Sequence, residues 1–463
     1  MRLLRVENLR GELTGASMSS SEEPGVQSDH HLHHHHPVPP RMDSSGSEDN
    51  QFSPGARIHS KSSGYDVLSV LGRGAFGNVV KCRKTTDNKT VAVKTIKNHG
   101  TSAKRAIYEI LALLKIKKMD ADKCHLVQWN SIFSITGHVC IEFELLDKSL
   151  YDLIKERNFR PLQLKEIRPI VHQLADTLNH LKASQIIHAD LKLENVMLVN
   201  HVQQPYKLKV IDFGLAAQVS TAKQGSLIQT LPYRSPEVLL GAPFTEAIDI
   251  WSVGCIAAFL YTGTLLYPGK SEYDMIRFIV ETQGQPPDNV LEAGLQTSCF
   301  FQMERNFAWK LKTPDQYQKE TSLVPKETRR FKFRSLDRLL HFQPGILNTR
   351  HIANKAAKTA DVQKFVDLLK GMLQLDASQR MTPHQVLEHD FSSMSHLDPL
   401  KDTSSHVQSC FHIMSVCSNK TMLQSFSGKG FNSSEAQDDE PCCSPASPEP
   451  YEIMAQEERS DPS

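Results

Sequence analysis

The sequence predicts an α+β fold of two unequal lobes, a small antiparallel β-rich one followed by a larger, mainly helical one. Three observations carry that prediction. Short β-branched runs separated by Gly and Asp-Asn turn signals begin at Tyr65. From Asp147 onward the apolar residues recur instead at three- and four-residue spacing. Both stretches are flanked by polar segments with too little apolar surface to offset the entropy of ordering. A chain of 463 residues with 39% apolar and 23% charged residues can bury a large core between those flanks.

Taken in order, residues 1–64 are rich in Ser, His, Pro and Gly and are expected to be disordered. Within them, His30 to His36 read as a solvated, pH-sensitive linker and receive no site. Val67 to Leu71, Asn78 to Cys82 and Thr90 to Lys94 read as antiparallel strands. Ala106 to Met119 places Ile107, Ile110, Leu111 and Leu114 at helical intervals, and Val139 to Leu145 reads as the strand that closes the small sheet. These elements define a first lobe over residues 65–145. In the second lobe, residues 146–391, Ile167 to Leu181, Ala247 to Tyr261 and Val362 to Leu373 read as helices. Only Val196 to Leu198 and Leu208 to Ile211 read as further strands there. Regular patterning fades after Phe391, and the extension 392–463 is expected to be acidic and disordered from about residue 418. No internal repeat of fixed period is present.

Composition excludes several classes. The longest apolar run, Cys255 to Tyr261, is far shorter than the roughly 18 residues of a bilayer span, so no membrane association is expected. Charges interrupt Met1 to Asn8 where a secretory signal would need an apolar core, so an intracellular protein is expected. Nine cysteines without a C-x-x-C pair read as reduced thiols rather than a disulfide framework or a zinc site. The net charge is +1, but residues 431–463 hold nine acidic residues and one Arg, which leaves +9 on the rest. That mildly basic body reads as a solvated surface, and no direct nucleic-acid contact is expected.

The chemistry begins at Gly72-Arg73-Gly74-Ala75-Phe76-Gly77-Asn78-Val79, a G-x-G-x-x-G-x-V between two predicted strands. Its missing side chains would let backbone N–H groups close over phosphate oxygens, although such runs also occur in ordinary hairpins and in dinucleotide folds. Seventeen residues after Gly77, Lys94 ends a strand that can aim its ammonium at phosphates. Glu109, on the predicted helix, can supply the carboxylate that orients it, or can be a solvated helical glutamate. The strong signal is His188-Ala189-Asp190-Leu191-Lys192-Leu193-Glu194-Asn195, then Ile211-Asp212-Phe213-Gly214, then Ser235-Pro236-Glu237. Phosphoryl transfer needs a carboxylate for the acceptor hydroxyl, a cation near the migrating phosphate and oxygen ligands for magnesium. Asp190, Lys192, Asn195 and Asp212 supply that set, with Asn195 five residues after Asp190 on one loop.

This ordered set resembles the eukaryotic protein kinase domain over residues 65–391, in the proline-directed group. More narrowly it resembles the homeodomain-interacting protein kinases, through His188 to Lys192, Gln204-Pro205-Tyr206, Glu246 to Asp249, Tyr267-Pro268-Gly269, Ser271 to Asp274 and Ser405 to Phe411. The resemblance implies the bilobal protein kinase fold and the cofactors ATP and Mg²⁺, with Asp190, Lys192 and Asn195 catalytic and Asn195 and Asp212 holding metal. Leu71 to Val79, Ala92, Lys94 and Glu109 would line the ATP site, with Phe143 behind the adenine and the backbone of Glu144, Leu145 and Leu146 as its hydrogen-bonding edge. Residues 283–338 would be the insert of the proline-directed group, the helix from Asp249 would support the catalytic loop, and Arg380 would pair with Glu237. The activation loop would run from Asp212 through Leu227, Tyr233 and Arg234 to Glu237. Protein substrates are implied, transcription regulators among them, for a monomer resident in the nucleus and also the cytoplasm. Ser53-Pro54, Ser444-Pro445 and Ser447-Pro448 match the Ser-Pro preference of such kinases and would be candidates for self-phosphorylation.

The chain departs from that pattern at named positions. Ala189 stands where most kinases have an arginine that pairs with a phosphorylated activation loop, Leu193 replaces a proline, and Leu227 takes the place of the switch tyrosine. Leu231 and Pro232 replace an arginine and a second tyrosine. The expectation is that the loop orders by apolar packing of Leu227, Ile228 and Leu231 without tyrosine phosphorylation. Three readings of function follow: an active serine/threonine kinase, since Lys94, Glu109, Asp190, Lys192, Asn195 and Asp212 are all kept; an ATP-binding pseudokinase scaffold, for which the altered loop argues; and a DNA-binding regulator, for which only the basic body argues.

Overall fold

The computed structural model describes residues 49–74, 77–343 and 349–418. Ala75 and Phe76, the histidine tract, the acidic tail, Ser444 and Ser447 lie outside the described residues. The chain divides into two compact units: residues through Leu114 with Gln128–Leu145, and Lys115–Val127 with the residues from Leu146 onward. Among the described residues no helix is long and apolar enough to cross a membrane.

The first unit is a curled antiparallel sheet with one helix. Its strands are β1 (Arg57–His59), β2 (Gly64–Gly74), β3 (Gly77–Lys84), β4 (Thr90–Lys97), β5 (Trp129–Ile135) and β6 (His138–Glu144), ordered β1-β2-β3-β4-β6-β5. The β-branched and aromatic residues that suit a pleated surface meet on one face, where Tyr65, Val67, Val80, Cys82, Val91, Val93 and Cys140 are buried together. Helix α1 (Gly100–Ile116) buries Ala106, Ile110 and Leu113, while Leu111, expected on that stripe, is exposed.

Two expectations for this unit are corrected. The segment before residue 64 is not all disordered: a 3₁₀ turn at Asp49–Phe52 and strand β1 lead into the sheet, with Phe52 and Ile58 buried in its core. A turn joins them, with the Ala56 N–H donating to the Ser53 carbonyl at 3.0 Å, Pro54 second and Gly55 third at φ +90°, where glycine is the residue without a steric penalty. Two isolated apolar residues in a polar run make no readable period. Strand β5 also went unforeseen, and it is β5, not β6, that forms the far edge of the sheet. Its sequence mixes Asn and Ser with aromatics, and its register slips between Trp129 and Ser131.

The second unit is mainly helical: α2 (Leu150–Glu156), α3 (Leu164–Ala183), α4 (Ala247–Thr262), α5 (Glu272–Gln283), α6 (Pro314–Thr321), α7 (Ile352–Met372) and α8 (Ser405–Met414), with shorter helical turns between them. Helix α4 is apolar all round and buried along almost its whole length, as expected of a helix at the centre of a core. Strands β8 (Val196–Asn200) and β9 (Gln204–Val210) form a hairpin close to the expected pair, with β7 (Ile186–Ile187) and β10 (Ala217–Gln218) as a second, smaller ladder. The stretch 283–338 holds a further hairpin, β11 (Phe301–Met303) with β12 (Trp309–Leu311), and helix α6.

Regular structure does not fade at Phe391. Helix α8 buries Val407, Cys410 and Met414 against Ala357, Met394 and Leu397, so the extension is part of the core through Cys417. Short elements separated by Asp-Pro and Ser-rich turns concealed it. Two buried ion pairs fix distant parts of the chain: Arg380 meets Glu237 at 2.9 and 3.0 Å, as expected, and Arg168, which was not anticipated, meets Asp361.

Candidate active site

In the first unit, β4 and α1 bring together the two charges singled out in the sequence. The Lys94 ammonium donates to both oxygens of Glu109, at 2.9 and 3.0 Å, and the carboxylate is 97% removed from solvent on the buried face of α1. A buried carboxylate holding the end of a flexible lysine is the arrangement that fixes the ammonium in one place. Lys94 lies opposite Val79 in the β3–β4 register, so the glycine-rich turn and the lysine are neighbours through the ladder. At Gly77 a Cβ would sit 1.7 Å from the Thr95 carbonyl oxygen, whereas at Gly72 it would meet nothing within 4 Å among the described residues. The turn therefore lies tight on β4 at its end and leaves open space at its start, where backbone can approach a ligand.

Of the other expected residues of this unit, those through Gly74 lie on β2, Gly77 to Val79 on β3, Ala92 on β4 and Phe143 and Glu144 on β6, while Leu145 follows the end of β6. Leu71 and Arg73 are exposed on β2, Gly74 pairs with Gly77, and Asn78 exchanges hydrogen bonds with Thr95. Ala92 is buried directly opposite Phe143. The Glu144 N–H donates to the Gln128 carbonyl at 2.9 Å, so that donor of the expected adenine edge belongs to the sheet.

In the second unit the catalytic loop is set by a carboxylate beneath it. Asp249, in the first turn of α4, accepts the His188 N–H at 2.8 Å and the Ala189 N–H at 2.9 Å. Burial pushes the Asp249 carboxyl up, while His188 and the two N–H donors oppose that shift. These bonds hold Ala189 at φ +68°, a conformation that costs a residue with a Cβ about 1 kcal/mol. His188 accepts the Asp190 N–H on Nδ1, so its proton sits on Nε2, which donates to the Ile211 carbonyl at 2.9 Å. Its ring packs edge-on against the buried Phe213.

Around Asp190 the expected residues converge. The Asn195 amide donates to the Asp190 carbonyl at 2.8 Å and lies 3.4 Å from its Oδ2, which leaves the amide oxygen as the atom to present elsewhere. Asp212 follows Ile211, whose N–H donates to the Asn195 carbonyl at 3.0 Å, and stands at φ +61° with Oδ1 receiving the Gly214 N–H. Lys192 lies 3.9 Å from Asp190 Oδ2. Thr230 completes the group: its hydroxyl donates to Asp190 Oδ1 at 2.7 Å and accepts from the Lys192 ammonium at 3.1 Å.

The activation segment, from Asp212 to Glu237, corrects one expectation. Leu227 is 73% exposed and so adds little packing to the loop, and Leu231 is half-buried. Ile228 does pack, in a cluster that includes Ala189, Ile187, Val238 and Ile248, so apolar contact fills the space around the alanine that replaces arginine. Amide side chains do the remaining work. Gln229, at φ +66° and buried, donates to the Ile248 carbonyl and to Ser252 and accepts the Ser235 N–H at 3.0 Å. Gln224 donates to the carbonyls of Gly241 and Ala293. Arg234 donates to the carbonyls of Ile228 and Gln229 and faces Glu272, while Tyr233 is buried, which raises its phenol well above the ordinary value. Thr230 is not among the expected site residues, and Gln224 and Gln229 carried no signal, because a glutamine in a loop is chemically unremarkable until its neighbours are known.

The kinase-like loops agree with comparison to known proteins. A model of the protein kinase domain matches residues 65–392, and the chain belongs to the protein kinase family. Within it, the chain resembles the homeodomain-interacting protein kinases of the proline-directed group. Homeodomain-interacting protein kinase 1 of Mus musculus is 44% identical over 382 residues, 82% of this chain and 31% of that protein. Homeodomain-interacting protein kinase 2 of Mesocricetus auratus is 44% identical over 362 residues, 78% of this chain and 31% of that protein. Homeodomain-interacting protein kinase 4 of Homo sapiens is 36% identical over 360 residues, 76% of this chain and 58% of that protein. The chain thus spans about a third of the length of the curated relatives it matches first.

Proposed function

We propose that this chain is a serine/threonine protein kinase that transfers the γ-phosphate of ATP to protein hydroxyls, preferentially those followed by proline. The observation that carries the reading is the Thr230 hydroxyl on Asp190 with Lys192 beside it: the carboxylate accepts a hydroxyl proton at hydrogen-bond distance, with a cation within reach of the same oxygen. In this reading Asp190 orients the acceptor hydroxyl and takes its proton, and Lys192 offsets charge on the migrating phosphate. Lys94, held by Glu109, positions the phosphates of the nucleotide, and the open start of the glycine-rich turn gives them backbone donors.

Asn195 and Asp212 would hold magnesium. Two oxygen side chains suit an ion that keeps most of its waters and completes its shell with phosphate oxygens. When bound, the metal supplies charge neutralisation on those oxygens.

Preference for proline draws support from the Gln229 carbonyl, which Arg234 already occupies at 2.9 Å. A substrate residue passing there would leave its own N–H unpaired, at about 1–3 kcal/mol, and proline has no N–H to lose. Homeodomain proteins as substrates, by extension from the names of its relatives, and residence in the nucleus, which the resemblance implies, are part of the proposal. Transfer from Mg²⁺-ATP to paired Ser-Pro and Ser-Ala peptides tests it: the reading expects phosphate on the Ser-Pro peptide and a loss of at least several-fold on Ser-Ala. Nucleotide binding without transfer to either would instead establish the scaffold.

A further inference from the structure

Glu142 is a carboxylate with no exposed surface, on β6 one residue before Phe143. Such a group is tolerated only when donors take up its oxygens. Three do, each from a different strand: the Tyr65 hydroxyl at 2.6 Å and the Lys84 ammonium at 3.1 Å on Oε1, and the Asn130 amide at 2.8 Å on Oε2. The last is the informative one. In the β5–β6 register Trp129 faces Phe143 and Ser131 faces Glu142, so Asn130 is the extra residue of a β-bulge, held by the buried carboxylate.

A bulge re-aims the side chains beside it. Here the neighbour is Trp129, which is buried and whose indole N–H donates to the Leu113 carbonyl of α1 at 2.9 Å. Leu113 stands one helical turn after Glu109, the residue that holds Lys94. A connected path of short contacts, all inside the first unit, therefore runs from the buried carboxylate through the bulge and the indole to the helix that carries Glu109.

We propose that Glu142 is a positioning residue: by fixing the Asn130 bulge it sets Trp129, and through Trp129 it seats α1 so that Glu109 meets Lys94. The proposal rests on Lys94 serving the nucleotide, as argued above. Asn130 is exposed, so Asn130→Ala removes the link without opening the core, and Trp129→Phe removes the indole donor while keeping most of the ring. The test uses the full chain and reads amide hydrogen exchange along Gly100–Ile116 together with kcat and KM for ATP in both variants and in the double variant. Each single change is expected to speed exchange in α1 and to lower kcat/KM for ATP by about tenfold, with the double variant no worse than either, because the two residues act in series. Unchanged exchange in α1 in both single variants, or losses that simply add, would overturn it. Exchange is read without catalysis, so a wild-type chain that transfers no phosphate would count against the functional reading and leave the positioning claim to be decided by α1.

Discussion

The catalytic loop and the activation segment meet at Asp190 and Thr230, yet they are held by different kinds of contact. Residues 188–195 are fixed from beneath by one buried carboxylate, Asp249, and from within by His188 and Asn195. Residues 212–237 depend on amide groups, Gln224 and Gln229, on Arg234, and on the apolar cluster around Ala189. The contrast teaches that the loop is fixed by a single buried carboxylate and its own side chains, whereas the segment is ordered by several amide and apolar contacts spread along it. Those contacts are hydrogen bonds and apolar packing, where the kinase pattern would have a phosphorylated residue and its arginine.

Changes to either region should break the comparison in a graded way. The largest effect belongs to the loop: Asp190→Asn should lower kcat by about 10²–10⁴-fold with nucleotide binding kept, as read by transfer assay beside nucleotide-dependent thermal shift. Next comes the far anchor of the segment. Arg380→Ala strands the buried Glu237 carboxylate and should remove about 3–5 kcal/mol in denaturant unfolding. Within the segment, Gln229→Ala leaves the Ser235 N–H and two acceptors without their partner. It should cost about 1–3 kcal/mol and expose 212–237 to limited proteolysis, while Leu227→Ser should stay within about 0.5 kcal/mol of wild type.

A modest effect away from both regions calibrates them. Burial, and after it the charges of Lys358 and Lys165, holds the His406 imidazole down to about 4. The native chain keeps it neutral while the unfolded chain takes up a proton below about pH 6.5, so stability should fall as pH drops from about 6.5 toward 4. Because the side chain is partly exposed the fall should be about 1 kcal/mol, and His406→Asn should remove that part of the slope in pH-dependent melting without altering transfer.

Much of this was legible in the sequence for physical reasons. The two-lobed fold follows from period-two runs giving way to helical spacing, and Lys94, Glu109, Asp190, Asn195 and Asp212 sit in motifs whose separations are set by single loops and strands. Asp249 and the Arg380–Glu237 pair were reached only through resemblance, since 143 residues separate the partners of that pair. Strand β1, the bulge at Asn130 and helix α8 were not legible: each depends on a few apolar residues or one polar contact whose partner lies far along the chain. Leu227 misled because an apolar residue at a loop position invites a packing role that only the neighbours can grant, and here the side chain is left exposed.

The most direct test of the account is phosphate transfer from Mg²⁺-ATP to a Ser-Pro peptide by purified chain, measured before and after exhaustive phosphatase treatment, with Asp190→Asn as the blank. A segment held by Gln224, Gln229 and Arg234 predicts transfer at the same kcat/KM in both samples, and at least about a hundredfold less in the blank. Transfer that disappears with phosphatase would contradict the account and point to a phosphorylated residue as the true holder of the segment.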